Sequence, residues 1–112
     1  MRIRTCGEKT KMDKELYEQV FERAGGLCEI CKSNELVEVH HIISGSGKRK
    51  NYENIHSLIL LCYYHHRGDY GVHGKYGAEL NRQLKIGLQE KYKSLGYSEE
   101  EIRELMGGKI YD

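Results

Sequence analysis

Cys28-Glu29-Ile30-Cys31, followed further along by Cys62-Tyr63-Tyr64-His65, is the pattern that decides how this chain folds. Two residues between ligands let a tight knuckle point both side chains at one ion, and two such knuckles complete the tetrahedron of a Zn²⁺ ion. The expectation is a closed structural site made of Cys28, Cys31, Cys62 and His65. The competing reading, four small side chains buried in a core, leaves the repeated spacing unexplained. Cys6 has no partner at ligand spacing and reads as an ordinary residue.

The rest of the composition agrees with a metal-stapled chain. Its 112 residues suit one domain, since domains usually run to roughly 100 to 200 residues. With 38% hydrophobic and 31% charged residues the core is modest, and folds of this size often lean on a metal or cross-link. No apolar run approaches the ~20 residues of a membrane span, and Met1-Arg2-Ile3-Arg4-Thr5 does not begin a signal peptide. A cytoplasmic protein without a membrane partner is expected, and in a reducing compartment its cysteines are metal ligands rather than disulfides.

Periodicity supplies the elements around the knuckles. Leu16, Val20, Phe21 and Ala24 share a helical face that Gly25-Gly26 ends, which predicts a helix over about 13–24. Leu36 to Ile43 is rich in β-branched residues and precedes Gly45-Ser46-Gly47, so it reads as a strand with His40 and His41 near its end. Lys48-Arg49-Lys50-Asn51-Tyr52 reads as an exposed loop. Leu58 to Leu61 leads into Cys62 and a short helix, and Gly68, Gly71, Gly74 and Gly77 mark an irregular stretch. Leu80, Leu84, Leu88 and Leu95 line a helix from about Ala78 to Leu95, interrupted at some cost by Gly87. Ser98-Glu99-Glu100-Glu101 matches a capping box opening a last helix, so C-terminal helices fill about 78–107.

Five histidines remain once His65 is assigned: His40, His41, His56, His66 and His73. A two-cysteine, two-histidine finger fails on spacing, because only eight residues separate Cys31 from His40 where that finger wants about twelve. Adjacent strand residues point to opposite faces, so His40 and His41 do not share an ion. They can instead divide two tasks, one holding a second metal and the other acting on water. His56 reads as an ordinary histidine, and His73 in Gly-Val-His-Gly as either a ligand or a loop residue.

The runs Arg23 to Cys31, Val39-His40-His41-Ile42 and Leu58 to His66 together resemble the HNH endonucleases, whose core is a ββα-metal (His-Me finger) unit. The likeness spans about residues 23 to 67, and Arg67-Gly68 to Gly71-Val72-His73-Gly74 extends it toward small phage and prophage nucleases. The implied fold is α+β: a ββα-metal core over about 23–76 with two zinc knuckles, flanked by an N-terminal helix and C-terminal helices, within a single domain 1–112. The resemblance implies that His40 and His66 hold a catalytic divalent metal, that His73 completes its coordination, and that His41 is the general base. It also implies cleavage of DNA to a 5′-phosphate and a 3′-hydroxyl in a bacterial cytoplasm, and an association with phage packaging proteins. Where the family often has an asparagine, five residues before the third knuckle ligand, this chain has Ser57. Asn54, His56 or Ser57 itself takes that work, with Asn54 favoured for its two-sided amide chemistry.

Such an arrangement suits phosphodiester hydrolysis. An imidazole of ordinary pKa, about 6.5, takes a proton from water near neutral pH, and a cation offsets charge building on phosphate. Imidazole ligands admit Mg²⁺, Mn²⁺, Ni²⁺ or Zn²⁺. Net charge is only +1, but residues 40–76 carry 5 basic and 2 acidic side chains. Lys48, Arg49, Lys50, Arg67 and Lys75 are candidates for phosphate contact. Tyr63 and Tyr64 are expected to pack the core rather than stack on bases. Two rivals, a zinc-stapled DNA-binding module and a packaging adaptor, would keep the four knuckle ligands but have no need of His40, His41 and His66 together. Oligomeric state is open.

Overall fold

The structure, a computed structural model, describes residues 4–5, 14–43 and 53–111. Among these the chain is a small α+β protein. In order it runs β1 (Arg4–Thr5), α1 (Lys14–Ala24), β2 (Glu38–His41), β3 (Leu58–Leu61), α2 (Tyr63–His66), α3 (Ala78–Ser94) and α4 (Glu99–Leu105). β2 and β3 are antiparallel, with His40 opposite Ile59 and His41 opposite Leu58, and β1 adds a short parallel edge to β2.

Local chemistry explains the boundaries. α1 stops where Gly25 and Gly26 take φ of 65° and 74° and their N–H groups return to the carbonyls of Glu22 and Phe21, satisfying helix-end acceptors in a left-handed C-cap. The strand expected from Leu36 to Ile43 is shorter. Leu36 has φ 46°, which an extended strand cannot accommodate, and the chain bends again at Ile42 and Ile43. The capping box of α4 forms as its sequence indicates: the Ser98 hydroxyl accepts from Glu101 N–H while the Glu101 carboxylate accepts from Ser98 N–H.

Two apolar clusters hold the elements. One joins Tyr17, Val20 and Ala24 of α1 to Val39, Leu58, Leu60 and Leu61 of the hairpin and to Cys28 and Cys62. The other joins Ile42 and Ile43 to Leu88 and Tyr92 of α3 and Ile102 and Met106 near α4. Ile59 and Leu84 pack against both, so the C-terminal helices clasp the sheet. Leu95, placed by its spacing on the apolar face of α3, is instead exposed at the helix C-cap. None of the described helices is long and apolar enough to cross a membrane.

Gly87 lies inside α3, and a Cβ added there would meet nothing within 4 Å. Alanine is favoured over glycine in a helix interior by about 0.8–1 kcal/mol. Gly87→Ala is therefore expected to raise unfolding stability by about 1 kcal/mol; a lower denaturation midpoint in that variant would contradict an open surface at this position.

Candidate metal centres

The first centre is built by two turns meeting at the end of β3. Cys28 N–H bonds Ser33 carbonyl at 2.8 Å and Lys32 N–H bonds Cys28 carbonyl at 2.9 Å, which curls the first knuckle. The knuckle then docks on the free edge of β3 through Glu29, whose N–H donates to Leu60 carbonyl at 2.9 Å and whose carboxylate accepts from Leu60 N–H at 2.8 Å. Arg23 of α1 clamps the same carboxylate with two bonds and also donates to the carbonyls of Ile55 and Leu58. The second knuckle is the start of α2, where Cys62 is the N-cap.

These turns bring Cys28, Cys31, Cys62 and His65 into one group. Cys31 Sγ lies 3.6 Å from Cys62 Sγ, and His65 Nδ1 lies 3.5 Å from Cys62 Sγ and 3.7 Å from Cys28 Sγ. A tetrahedral zinc with Zn–S of about 2.3 Å and Zn–N of about 2.0–2.1 Å spans edges of about 3.8 Å between sulfurs and about 3.6 Å between sulfur and nitrogen. The separations match that tetrahedron, and the group could hold a metal ion such as zinc. Burial pushes the Cys28 thiol up, but N–H groups of Cys31, Cys62 and Ile30 outweigh it and hold its pKa below the ordinary value. Burial pushes Cys62 up to about 11, so that thiol keeps its proton at neutral pH unless a cation replaces it.

The second centre uses the opposite end of α2. His40 of β2, His66 of α2 and His73 of the glycine-rich stretch place one nitrogen each within 4.8 Å of the others. Their ring centroids are 5.5, 5.4 and 4.7 Å apart. His40 is buried, and neither of its ring nitrogens has a hydrogen-bond partner; Nε2 of His66 is in the same state. Orphaned buried nitrogens are costly, and coordination to one cation would satisfy them together. Burial, then the neighbouring His66, His73, His41 and Lys85, push His40 down to about 2, which keeps it in the neutral form that binds metal.

Glu38, two residues before His40 on the same face of β2, orients this trio. Its carboxylate accepts from His66 Nδ1 at 2.7 Å and from Arg67 Nε at 2.8 Å. Burial would raise the Glu38 pKa, but Arg67 and His66 bring it below the usual carboxylate value. Burial lowers the His66 pKa despite Glu38. A neutral His66 donating from Nδ1 aims its Nε2 lone pair at the trio, the arrangement common behind metal-bound histidines.

His41 faces the other way. Its Nε2 is 2.7 Å from Glu53 Oε2 and 3.1 Å from the Tyr17 hydroxyl, and that hydroxyl donates to the same Glu53 oxygen at 2.8 Å. The two neighbours on β2 are thus divided between faces, as strand geometry requires. Asn54 Oδ1 accepts from the N–H groups of His56 and Ser57, and its Nδ2 donates to Tyr92 of α3 at 2.9 Å. Ser57 reciprocates, its hydroxyl bonding Asn54 N–H and carbonyl. Together they fix the turn that enters β3. His56 rests edge-on against Tyr92.

Arg67 is the guanidinium bound to Glu38, and Lys75 sits with Nζ over the Tyr76 ring at 5.4 Å. Lys48, Arg49 and Lys50 lie outside the described residues. Glu38 could have been found in the sequence from its two-residue offset to His40. Tyr17 and Glu53 carry no such signal, because Tyr17 reaches His41 through the packing of α1 on the hairpin and Glu53 through the segment that leads into β3. The chain matches no family model, no curated protein and no solved structure.

Proposed function

We propose that this protein is an HNH-type endonuclease with a ββα-metal core in β2, β3 and α2, hydrolysing DNA phosphodiesters with the aid of a divalent cation. The observation that carries the reading is the division of the histidine pair, with buried His40 grouped with buried His66 and exposed His73, and His41 backed by a carboxylate on the other face. A zinc-stapled binding module would leave both groups without a task.

His40, His66 and His73 would hold the cation, which supplies charge stabilisation to the phosphate and its leaving oxygen. His41 does the proton chemistry. With its Nε2–H given to Glu53, the lone pair is on Nδ1, which takes a proton from water as the water oxygen bonds to phosphorus and the bond from phosphorus to the 3′-oxygen breaks. Glu53 stabilises the imidazolium that results, and Tyr17 fixes the carboxylate by donating to the same oxygen. Glu38 and Arg67 keep His66 in one tautomer.

The test is conversion of supercoiled plasmid by zinc-loaded protein in Mg²⁺, Mn²⁺ or Ni²⁺, beside the His41→Ala variant. Wild type should nick or linearise the plasmid, and His41→Ala should be slower by at least about 100-fold, the usual range for a lost general base, with unchanged circular dichroism and bound zinc. Wild type inactive in all three metals, or a variant as active as wild type, rejects the reading.

A further inference from the structure

The tyrosines at positions 63 and 64, expected in the core, are outside it. Tyr63 and Tyr64 are 46% and 57% exposed, and so are Tyr70 and Tyr76, at 60% and 52%. The reason lies in α2, which is one turn long. Cys62, His65 and His66 share its inner face at helical spacing and are taken by the two candidate metal centres, which turns positions 63 and 64 outward.

All four rings belong to one folded unit. Gly68 and Gly71 sit against the backbone of Tyr64 and His65. Val72 N–H bonds His65 carbonyl at 2.9 Å, His73 N–H bonds His66 carbonyl at 2.8 Å, and Tyr76 N–H bonds Asp69 carbonyl at 2.6 Å. The unit that presents the tyrosines is therefore the one that delivers His66 and His73 to the trio. Tyr70 and Tyr76 lie with centroids 5.2 Å apart and planes inclined by only 31°, an open stack that another flat ring could extend. Lys75 is held over Tyr76, and Arg67 projects from the same unit with its side chain 44% exposed. Residues 63–77 carry two cations and one carboxylate, Asp69; Arg67 is also paired with Glu38, which leaves Lys75 as the cation beside the stacked rings. Aromatic faces interleaved with cations suit unpaired nucleobases on a phosphate backbone, whereas a duplex keeps its bases stacked inside and offers such rings nothing.

We propose that Tyr70 and Tyr76, with Tyr63, Tyr64, Lys75 and Arg67 around them, form a stacking platform for unpaired bases, so that the protein binds single-stranded DNA beside the histidine trio in preference to duplex. This deepens the nuclease reading and rests on it for its substrate class, but it is tested by binding alone.

The experiment is fluorescence anisotropy of zinc-loaded protein, without added divalent metal, against a labelled oligothymidylate, an abasic strand of equal length and charge, and a duplex of that length. Wild type should bind the oligothymidylate more tightly than either of the others. The Tyr70→Ala/Tyr76→Ala double variant should lose about tenfold or more on the oligothymidylate, as expected when base stacking is removed, with little change on duplex. The Tyr70→Phe/Tyr76→Phe variant, which keeps both rings, should bind like wild type. Equal affinity for the abasic strand, equal loss on duplex, failure of the phenylalanine variant, or no binding to any strand overturns the platform; the last outcome leaves the tyrosines as a protein-contact surface. Single-strand preference in a protein that never cuts plasmid would reject the nuclease reading alone, and plasmid cutting without the preference would reject the platform alone.

Discussion

Alanine at Cys31 is expected to abolish the folded hairpin and α2, seen as loss of bound zinc, of helical circular dichroism and of a cooperative thermal transition. Cys31 is the informative member of the candidate group because it is exposed, whereas Cys28 and Cys62 are buried in the main apolar cluster. Removing a buried thiol would confuse a lost ligand with a core cavity. Removing Cys31 takes away almost no packing, so any large effect comes from the metal. Structural zinc contributes about 10–16 kcal/mol in small zinc-binding peptides at neutral pH, while whole domains are stable by only about 5–15 kcal/mol. Loss of one of four ligands is then enough to exceed the margin of a chain this small. The first knuckle reaches β3 mainly through Glu29 and Arg23, and a polar clamp at the surface holds little by itself. A Cys31→Ala protein with wild-type melting and one equivalent of zinc would remove the Cys₃His group from its structural role.

How much of this was legible beforehand follows from the range of each interaction. The knuckles were visible because both ligands of a pair lie within one turn, so spacing alone carries the geometry. The capping box at Ser98 and Glu101 and the stop at Gly25 and Gly26 were visible for the same reason. The trio was half visible. Strand alternation separates His40 from His41, but only the return of the glycine-rich stretch onto α2 decides that His73 sits beside His66. Contacts that depend on packing left no trace in the sequence: Tyr17 and Glu53 meet His41 across three segments, and Asn54 meets Tyr92 from 38 positions away. The outward-facing tyrosines cannot be read from residue type alone, because a one-turn helix buries only the positions on its inner face.

Gly74→Ala is expected to weaken the second centre while sparing the first. Gly74 does not need an unusual φ; it needs space. A Cβ there would drive into the Gly68 carbonyl oxygen and come within 2.6 Å of the Asp69 carbonyl oxygen. Both are backbone atoms, with no flexible side chain to give way, so the stretch must shift, and overpacking of this kind costs about 1–3 kcal/mol. His73 is the adjoining residue, its N–H bonded to the His66 carbonyl, and a shift of the loop carries its ring away from His40 and His66. Loss of an outer partner behind a metal ligand typically costs about 10–100-fold in affinity, and displacing a ligand should cost no less. Titration of zinc-loaded protein with Ni²⁺ should therefore show at least a tenfold weaker second site in Gly74→Ala, with the first equivalent of zinc retained. His73→Ala should match it in Ni²⁺ affinity but melt close to wild type, since His73 is exposed and its ring can be removed without crowding. Gly87→Ala, which adds the same methyl group where nothing opposes it, should leave the Ni²⁺ affinity unchanged. If Gly74→Ala binds Ni²⁺ as wild type does, the glycine-rich stretch is not what holds His73 in place; if His73→Ala does so too, the trio is no metal centre.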